Sequence, residues 1–126
     1  MNNKGQSLVT FVLILPIILL ILFTVYDIGN MVLLKNELDN INYIAINYGL
    51  DKLDDNNLEE KLNDIIVKNK EDIDNIQILI ENNEINILLE DRITNKLSLI
   101  KKINAFNAKS NLVGYIQDEK KIIKKK

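Results

Sequence analysis

Residues 5–26 read GQSLVTFVLILPIILLILFTVY and contain no charged side chain. Wound as an α-helix at about 1.5 Å per residue, this stretch reaches about 33 Å, which is enough to cross a hydrocarbon core of roughly 30 Å. A buried core helix could have the same composition, but a chain of 126 residues has no core that could cover it on every side. The stretch therefore predicts a single transmembrane helix over residues 6–27.

A cleaved secretory signal is a second alternative for this stretch. Such signals have apolar regions of about 7 to 15 residues followed by small residues at the cut. Here the run ends in Thr24-Val25-Tyr26-Asp27, so we expect the helix to stay in the mature protein. The leader, residues 1–5, carries one lysine, and positive charge beside a span predicts a cytoplasmic N-terminus. The rest of the chain after Asp27, at the membrane exit, is then expected outside the cytoplasm.

Helical periodicity continues past the span. Apolar side chains recur at spacings of three and four at Met31, Leu34, Leu38, Ile41, Ala45 and Tyr48. This spacing predicts one long helix from Gln6 to Tyr48, ended by Gly49 in the left-handed C′ position. Pro16 is expected to kink its lipid-embedded half, because proline removes one backbone donor and crowds the preceding turn.

The N-terminal part of the chain also carries a set of short motifs: Lys4-Gly5-Gln6-Ser7-Leu8-Val9, Phe11, Leu15-Pro16 and Asp27-Ile28-Gly29. Together they resemble the opening of TadE-like proteins, the pseudopilin-type components of Tad (Flp) pilus systems, over roughly the first third of the chain. The resemblance implies that a prepilin-type peptidase cuts between Gly5 and Gln6 on the cytoplasmic side. It also implies other pilin-like subunits and pilus assembly proteins as partners.

One position departs from the family pattern. The family usually carries Glu at the fifth position after the cut, where this chain has Thr10. In pilin-like filaments that carboxylate is thought to meet the free amine of a neighbouring subunit, an ion pair that a low-dielectric environment strengthens. Thr10 can accept a hydrogen bond but cannot neutralise a charge.

A second, shorter helix is expected after a linker at residues 50–55. Asn56 is a candidate N-cap, and Glu59 three residues later completes a capping box. The buried stripe of this helix is expected at Leu58, Leu62, Ile65 and Ile66.

The pattern changes from helical to alternating after Ile73. Two alternating runs flank Asn82-Asn83, which predicts a hairpin with a two-residue turn. The resulting register places Ile80 opposite Ile85, Ile78 opposite Ile87 and Ile76 opposite Leu89, with all six on one buried face. It also sets Glu81 against Glu84, a mild repulsion.

The remaining chain predicts two more strands. We expect a third near residues 97–103, a loop over residues 104–111 and a short fourth over residues 112–117, in which Gly114 marks a bulge or an edge. The lysine-rich end, residues 118–126, is expected to be a disordered basic tail.

These elements predict an α+β, pilin-like fold. It has a long N-terminal helix, transmembrane and then amphipathic, a second short helix and a small antiparallel sheet of three to four strands. The expected organisation is a cytoplasmic leader at 1–5, a transmembrane helix at 6–27, its amphipathic continuation at 28–49, an extracytoplasmic head at 50–117 and a basic tail at 118–126.

Charge is distributed unevenly along the chain. From Asp27 to Asp91 there are 16 acidic residues and 5 lysines, whereas from Arg92 to Lys126 there are 10 basic residues and 2 acidic ones. The simpler interpretation is a pair of solvated faces with a basic tail. The alternative is a salt-sensitive head-to-tail contact between copies or with a partner pilin.

The residue types present argue against catalysis and against a cofactor. The chain has no Cys and no His, which removes the usual zinc and copper ligands, the commonest general base and any disulfide. Ser7 and Ser98 have no imidazole to activate them, and no glycine-rich phosphate loop is present. We expect neither an enzyme nor a bound cofactor.

Two charged segments suggest binding sites, one for a metal ion and one for nucleic acid. The acidic cluster at Asp51, Asp54, Asp55 and Glu59 lacks the glycine and the twelfth-position Glu of a calcium loop, so no metal site is expected. The basic tail at 120–126 has no interleaved aromatic residues, so no nucleic acid is expected. A solubilising tail is favoured over one that binds DNA, wall polymers or anionic lipid.

Two functions remain open at this point. One is a TadE-like minor pilin or pseudopilin, held in membrane lipid, that contributes to assembly of a Tad (Flp) pilus. The other is a single-pass membrane-tethered binding or regulatory module with no filament role, for which the Thr10 departure is the hint.

Overall fold

A single long helix, α1, begins near the N-terminus, and its second half is part of the head. In the computed structural model, which describes residues 3–92 and 107–126, α1 spans Asn3–Leu50, 48 residues. A short second helix, α2, spans Leu58–Asn69. Four strands follow, β1 (Asn75–Glu81), β2 (Glu84–Arg92), β3 (Asn107–Gln117) and β4 (Lys120–Lys125). They form one antiparallel sheet in the order β1-β2-β3-β4, which confirms the predicted α+β class.

The core lies between one face of the sheet and the second half of α1. Every second residue of β2 and β3 is buried there, because side chains alternate between the two faces of a strand. The predicted stripe on α1 supplies the opposite side through Leu38, Ile41 and Ala45, and α2 adds Leu62 and Ile66. Six predicted positions on α1 and α2 are buried: Leu38, Ile41, Ala45, Leu58, Leu62 and Ile66. The predicted stripe is wrong at its end, because Tyr48 is exposed while Ile46 and Leu50 are buried.

The first hairpin has the predicted register. Ile80 pairs with Ile85, Ile78 with Ile87 and Ile76 with Leu89, and Glu81 stands opposite Glu84. Asn82 and Asn83 have φ angles of 51° and 62°, so both turn residues are left-handed. Two consecutive left-handed residues are typical of a type I′ turn, whose twist matches that of the strands it joins.

The predicted end of α1 is wrong in one detail. Gly49 lies inside the helix, and no glycine in residues 3–92 or 107–126 has a positive φ. A Cβ at Gly49 would come within 2.6 Å of Ile85 Cδ1 and 3.1 Å of Leu62 Cδ2. The lack of a side chain at Gly49 therefore accompanies close packing of α1 on the ends of the Ile85 and Leu62 side chains, and does not serve a left-handed cap.

The capping box predicted for α2 is also wrong. The helix begins at Leu58, and its N-cap residue, Asn57, makes no side-chain capping bond. Instead, the backbone N–H of Asn57 donates to Asp55 Oδ1 at 2.9 Å. This local bond between residues 55 and 57 forms a turn before α2. The N-cap is therefore Asn57, one residue later than the predicted Asn56.

Two predictions at the C-terminal end are corrected. Residues 107–111, expected in a loop, belong to β3, and Lys120–Lys125, expected in a disordered tail, form β4. Asp118 and Glu119 make the turn between them with φ angles of 53° and 64°. The strand expected at residues 97–103, and the part of the expected loop at 104–106, lie outside the described residues.

Gly114 marks neither a bulge nor an edge. It lies in β3, an interior strand, and pairs in continuous register with Ile85 on one side and Ile123 on the other. A Cβ at this position would come within 2.2 Å of Ile46 Cγ2 and 3.3 Å of Leu50 Cδ1. The absence of a side chain is what lets α1 pack directly on the sheet.

Candidate functional site: the apolar half of the long helix and its junction with the head

The N-terminal half of α1 is exposed along its whole length. Residues 3–26 are all exposed, and an 18-residue window within α1 reaches a mean hydropathy of 3.1 with none of its residues buried. A helix of this hydropathy in the core of a water-soluble protein would be mostly covered by other elements, which this one is not. In the described part of the chain, α1 is the one helix long and apolar enough to cross a membrane.

The residues of the predicted cleavage site lie at the start of this helix. Gly5 and Gln6 are exposed, and no atom lies within 4 Å of the position that a Cβ on Gly5 would occupy. The head therefore does not cover the bond between Gly5 and Gln6. Both residues are helical, so cleavage requires local unwinding of the first turn of α1.

Thr10, where the family usually carries Glu, has its hydroxyl bonded within the helix. Thr10 Oγ1 donates to the carbonyl oxygen of Gln6 at 2.9 Å, and Thr24 Oγ1 donates to that of Leu20 at the same distance. These bonds to the i−4 carbonyl satisfy the hydroxyl donors where lipid would supply no partner. The Thr10 bond involves Gln6, which would be the first residue after the predicted cut.

Pro16 stands in the middle of the apolar half. The helix continues on both sides of it, so the proline does not end α1. Because Pro16 has no backbone N–H, the carbonyl of Val12 loses its ordinary intrahelical donor. The predicted kink at Pro16 stays a prediction.

Asp27 is the first buried residue of α1. Its exposed fraction is 1%, whereas the sequence predicted only that it lies at the membrane exit. Asp27 precedes Met31, Leu34 and Leu38 at spacings of four, three and four, so it continues the buried stripe. The stripe could have been extended back to Asp27 on spacing alone, but a carboxylate is rarely assigned to a buried position.

A buried polar cluster joins α1 to the sheet. Asn42, fully buried, donates through Nδ2 to the carbonyl oxygen of Ile87 at 2.9 Å and to Ser110 Oγ at 3.1 Å. Ser110 Oγ in turn donates to Asp39 Oδ1 at 2.5 Å, and Lys35 pairs with Asp39 Oδ2 at 3.2 Å. Because buried polar groups must be paired, this chain of bonds fixes how α1 is positioned along β2 and β3. Neither Asn42 nor Ser110 was predicted from the sequence to lie in such a cluster.

A second junction involves both helices and the sheet. Lys70, at the C-cap of α2, lies 3.5 Å from Asp91 of β2 and 3.9 Å from Glu37 of α1. The Asp91 side chain is only 4% exposed, so its pairing with Lys70 is required to offset the cost of burying a carboxylate.

The far end of α1 is held by β4. Lys121 Nζ lies 2.7 Å from Asp51 Oδ2 and donates to the Asn47 carbonyl oxygen at 3.3 Å. Asn47 is among the last four residues of α1, whose carbonyls have no intrahelical donors. A lysine placed here satisfies one of those carbonyls and interacts favourably with the negative end of the helix dipole.

Two members of the predicted acidic cluster have lysine partners. Asp51 pairs with Lys121, as described, and Asp55 pairs with Lys61. The hydrogen bond from Lys61 lowers the pKa of Asp55 below its ordinary value of 3.8, and the Asn57 N–H lowers it further. The same bond raises the pKa of Lys61 above its ordinary value of 10.5. In residues 3–92 and 107–126, no group of three candidate ligands could hold a metal ion.

The acidic and basic halves of the chain meet within one molecule. Arg92 lies 2.9 Å from Asp74, Lys109 lies 3.8 Å from Glu90, and Lys121 lies 2.7 Å from Asp51. Some of the basic residues in 92–126 thus form ion pairs with acidic residues in 27–91 of the same molecule. Each of these pairs is at least partly exposed, and exposed pairs contribute little to stability individually.

Comparison with known proteins gives one match. Residues 5–41 match the family model described as TadE-like protein. Neither the curated proteins nor the solved structures gave a match. The matched range contains Gly5, Pro16 and Asp27 and extends to Ile41, which packs in the core of the head. The N-terminal third of this chain is therefore a TadE-like region, as its motifs predicted.

Proposed function

We propose that this protein is a minor pilin or pseudopilin that contributes to assembly of a Tad (Flp) pilus. The observation that carries the proposal is the structure of α1: an exposed apolar segment, TadE-like in sequence, that continues without interruption into the core of an α+β head. This suits a structural subunit whose head is displayed at a fixed height above the lipid. We expect no catalysis from it.

The proposal includes an orientation and a set of partners. The cytoplasmic leader, the single span and the extracytoplasmic head follow from the lysine before the span and from its length. Other pilin-like subunits and pilus assembly proteins are the proposed partners of α1 in the membrane. A prepilin-type peptidase is the proposed partner of Gly5 and Gln6.

The solvent-facing side of α1 beyond Asp27 supports contact with neighbouring subunits. Large apolar side chains stay exposed there at Val32, Leu33, Tyr43 and Ile44. The polar residues on the same side are Asn36, Asn40 and Asn47, which carry no charge, and Glu37, which is exposed and lies 3.9 Å from Lys70. A partly apolar helix face with few charges is typical of a surface that packs against another helix.

N-terminal sequencing of protein extracted from membranes tests the proposal. A mature chain that begins at Gln6 is the expected result when the matching peptidase is present. Gly5→Val should block the cut, because a β-branched side chain at the residue before the bond hinders access, whereas Gly29→Val is the matched control and should be processed normally. Recovery of uncut protein from cells that process a known prepilin would contradict the proposal.

A second candidate function is favoured by Thr10. A membrane-tethered binding or regulatory module would need neither the cut nor the carboxylate that the family usually carries. The substitution Thr10→Glu distinguishes the two functions. If the protein joins a filament through this position, the substitution should increase its recovery in sheared filaments; if it is a tethered module, filament recovery should stay at zero for both forms.

A further inference from the structure

The two edge strands of the sheet, β1 and β4, differ in how they are protected. β4 carries Lys120, Lys121, Lys124 and Lys125, and lysines on an edge strand discourage pairing with a further strand. β1 contains no lysine and no proline, and its register with β2 has no bulge. In the described part of the chain, no strand pairs with the outer side of β1. β1 therefore lacks the features that usually prevent strand addition.

The backbone of β1 presents a regular row of hydrogen-bonding groups at this edge. The two-residue turn makes Glu81 and Glu84 a hydrogen-bonded pair, and such pairs alternate along an antiparallel ladder. The N–H and C=O groups of Ile76, Ile78 and Ile80 therefore point away from β2. Among the described residues, none forms a hydrogen bond with these groups. An extended segment placed alongside β1 would pair with all three isoleucines.

A groove of about 450 Å³ lies between β1 and the start of α2. Ile76 and Ile78 line it and are half-buried, whereas Leu89 and Ile87, their partners on β2, are fully buried. The apolar cover of β1 is thus incomplete beside the groove. The other lining residues belong to α2 and to the turn before it: Asn56, Asn57, Glu59, Glu60 and Asn63.

The groove is acidic, and its charge is not compensated by the residues around it. Glu59 and Glu60 are exposed, and neither forms an ion pair within the described residues. Lys61, which follows them in the chain, pairs with Asp55 instead. Glu81, at the end of β1, is also exposed. This surface attracts a positively charged segment, whereas it repels the phosphates of nucleic acids and of anionic lipids.

We propose that this groove binds an extended, basic segment of another protein, which adds to β1 as a further strand of the sheet. Backbone pairing with Ile76, Ile78 and Ile80 holds the segment in place. Lysine or arginine side chains on its α2 side lay their aliphatic stems over the isoleucines and bring their charged ends to Glu59 and Glu60. The occupant is thus a strand-forming sequence with basic residues at alternate positions. The site lies entirely on the head, so the inference goes beyond the proposed pilus role and does not depend on it.

A short peptide that alternates lysine and valine, with both ends blocked, tests the proposal on the full chain in nonionic detergent. Nuclear magnetic resonance should show slower amide exchange at Ile76, Ile78 and Ile80 when the peptide is added, with Gln77 and Leu79, already paired with β2, unchanged. The same peptide methylated on its backbone nitrogens should not bind, because it has no N–H donors to pair with β1. No slowing at the three isoleucines at high peptide concentration would overturn the proposal. Slowing that increases with protein concentration in the absence of peptide would assign the edge to a second copy and would also overturn it.

A pair of charge reversals tests how the groove recognises its occupant. Glu59→Lys combined with Glu60→Lys should weaken peptide binding roughly tenfold, and more at low salt than at high salt, because attraction becomes repulsion. Asp64→Lys combined with Glu119→Lys is the matched control, since neither residue lines the groove and the change in net charge is the same. The control should bind the peptide within about twofold of the native protein, and amide protection in β2 confirms that each variant is folded. Equal losses of binding in the two double variants would contradict the site.

Discussion

At the scale of single residues, Gly114 sets the distance between α1 and the sheet. A Cβ there would come within 2.2 Å of Ile46 Cγ2, an atom that branches close to its own backbone and has little room to move. We expect Gly114→Ala to lower the free energy of unfolding of the head by about 1–3 kcal/mol through overpacking. Gly29→Ala is the control, since a Cβ at Gly29 meets nothing within 4 Å and alanine favours the helix. Hydrogen–deuterium exchange of β3 in detergent-solubilised protein measures both, and equal protection in the two variants would contradict the packing described.

Asn42 is the polar residue on which the position of α1 depends. Asn42→Ala removes the donor to the Ile87 carbonyl and to Ser110 and leaves buried acceptors without it. The expected cost is about 1–3 kcal/mol, the usual penalty for an unsatisfied buried polar group. The exposed Asn40→Ala should change stability by less than about 0.5 kcal/mol. Exchange rates of β2 amides distinguish the two variants, and no increase in exchange for Asn42→Ala would show that the cluster is dispensable.

The pair formed by Asp55 and Lys61 makes stability depend weakly on pH. Because the folded pKa of Asp55 is below 3.8, its contribution is complete above pH 3.8 and is lost as the pH falls through the folded pKa. Lys61 has a raised pKa, so its contribution is complete below pH 10.5 and is lost as the pH rises through the folded value. Asp55→Asn should therefore be slightly less stable than the native protein at pH 7 and equal to it well below pH 3.8. Urea titrations at the two pH values test this, with the exposed Asp54→Asn as control; a difference that persists in acid would contradict it.

At the scale of elements, the second hairpin, β3 to β4, forms although both residues of its turn have an unfavourable left-handed backbone conformation. Glu119 has a φ of 64°, a left-handed conformation that costs a non-glycine residue about 1–2 kcal/mol. Glu119→Gly should recover part of that cost and slow amide exchange in β4. Gln117→Gly, placed within β3, is the matched control and should speed exchange, because glycine weakens a strand. Faster exchange in both variants would show that Glu119 stabilises β4 through its side chain.

The elements differ in how far the sequence alone predicts them. The long stripe on α1 and the alternation around Asn82-Asn83 are strong periodic signals, and both were predicted correctly. β4 was not, because Ile122 and Ile123 are adjacent and give no alternation, and the strand depends on pairing with β3 and on the contact of Lys121 with α1. The start of β3 was missed because Ala108 and Ser110 are weak strand formers. Their small size is required where α1 lies close to the sheet, so tertiary contacts outweigh propensity there.

Contacts between distant residues also limit what the sequence predicts about α1 and its junction with the head. The span and the TadE-like motifs could be found from composition and spacing, since lipid imposes a length and an absence of charge. The cluster around Asn42 and Ser110 could not, because it depends on contacts between residues far apart in the chain.

At the scale of the whole molecule, the two halves of α1 have different surroundings. Its first half has the length and exposure of a membrane span, and its second half is built into the head through the core, through Asn42 and through the Lys121 contact at its end. Leu38, Ile41 and Ala45 of α1 belong to the core of the head, so the stability of the head depends on this union with α1. A continuous helix of this kind would hold the head in a fixed position relative to the membrane, as the proposed role of a structural subunit requires.

The most direct measurement of this arrangement is the accessibility of the C-terminus in intact cells. Lys126→Cys introduces a single thiol into a protein that has none, and a maleimide that does not cross the cytoplasmic membrane reports its side. We expect Lys126→Cys to be labelled in intact cells and to sediment with the membranes, while a cytoplasmic thiol protein in the same cells is labelled only after lysis. A thiol protected until lysis, or a full-length chain recovered in the aqueous fraction, would contradict a membrane-anchored protein with an external head.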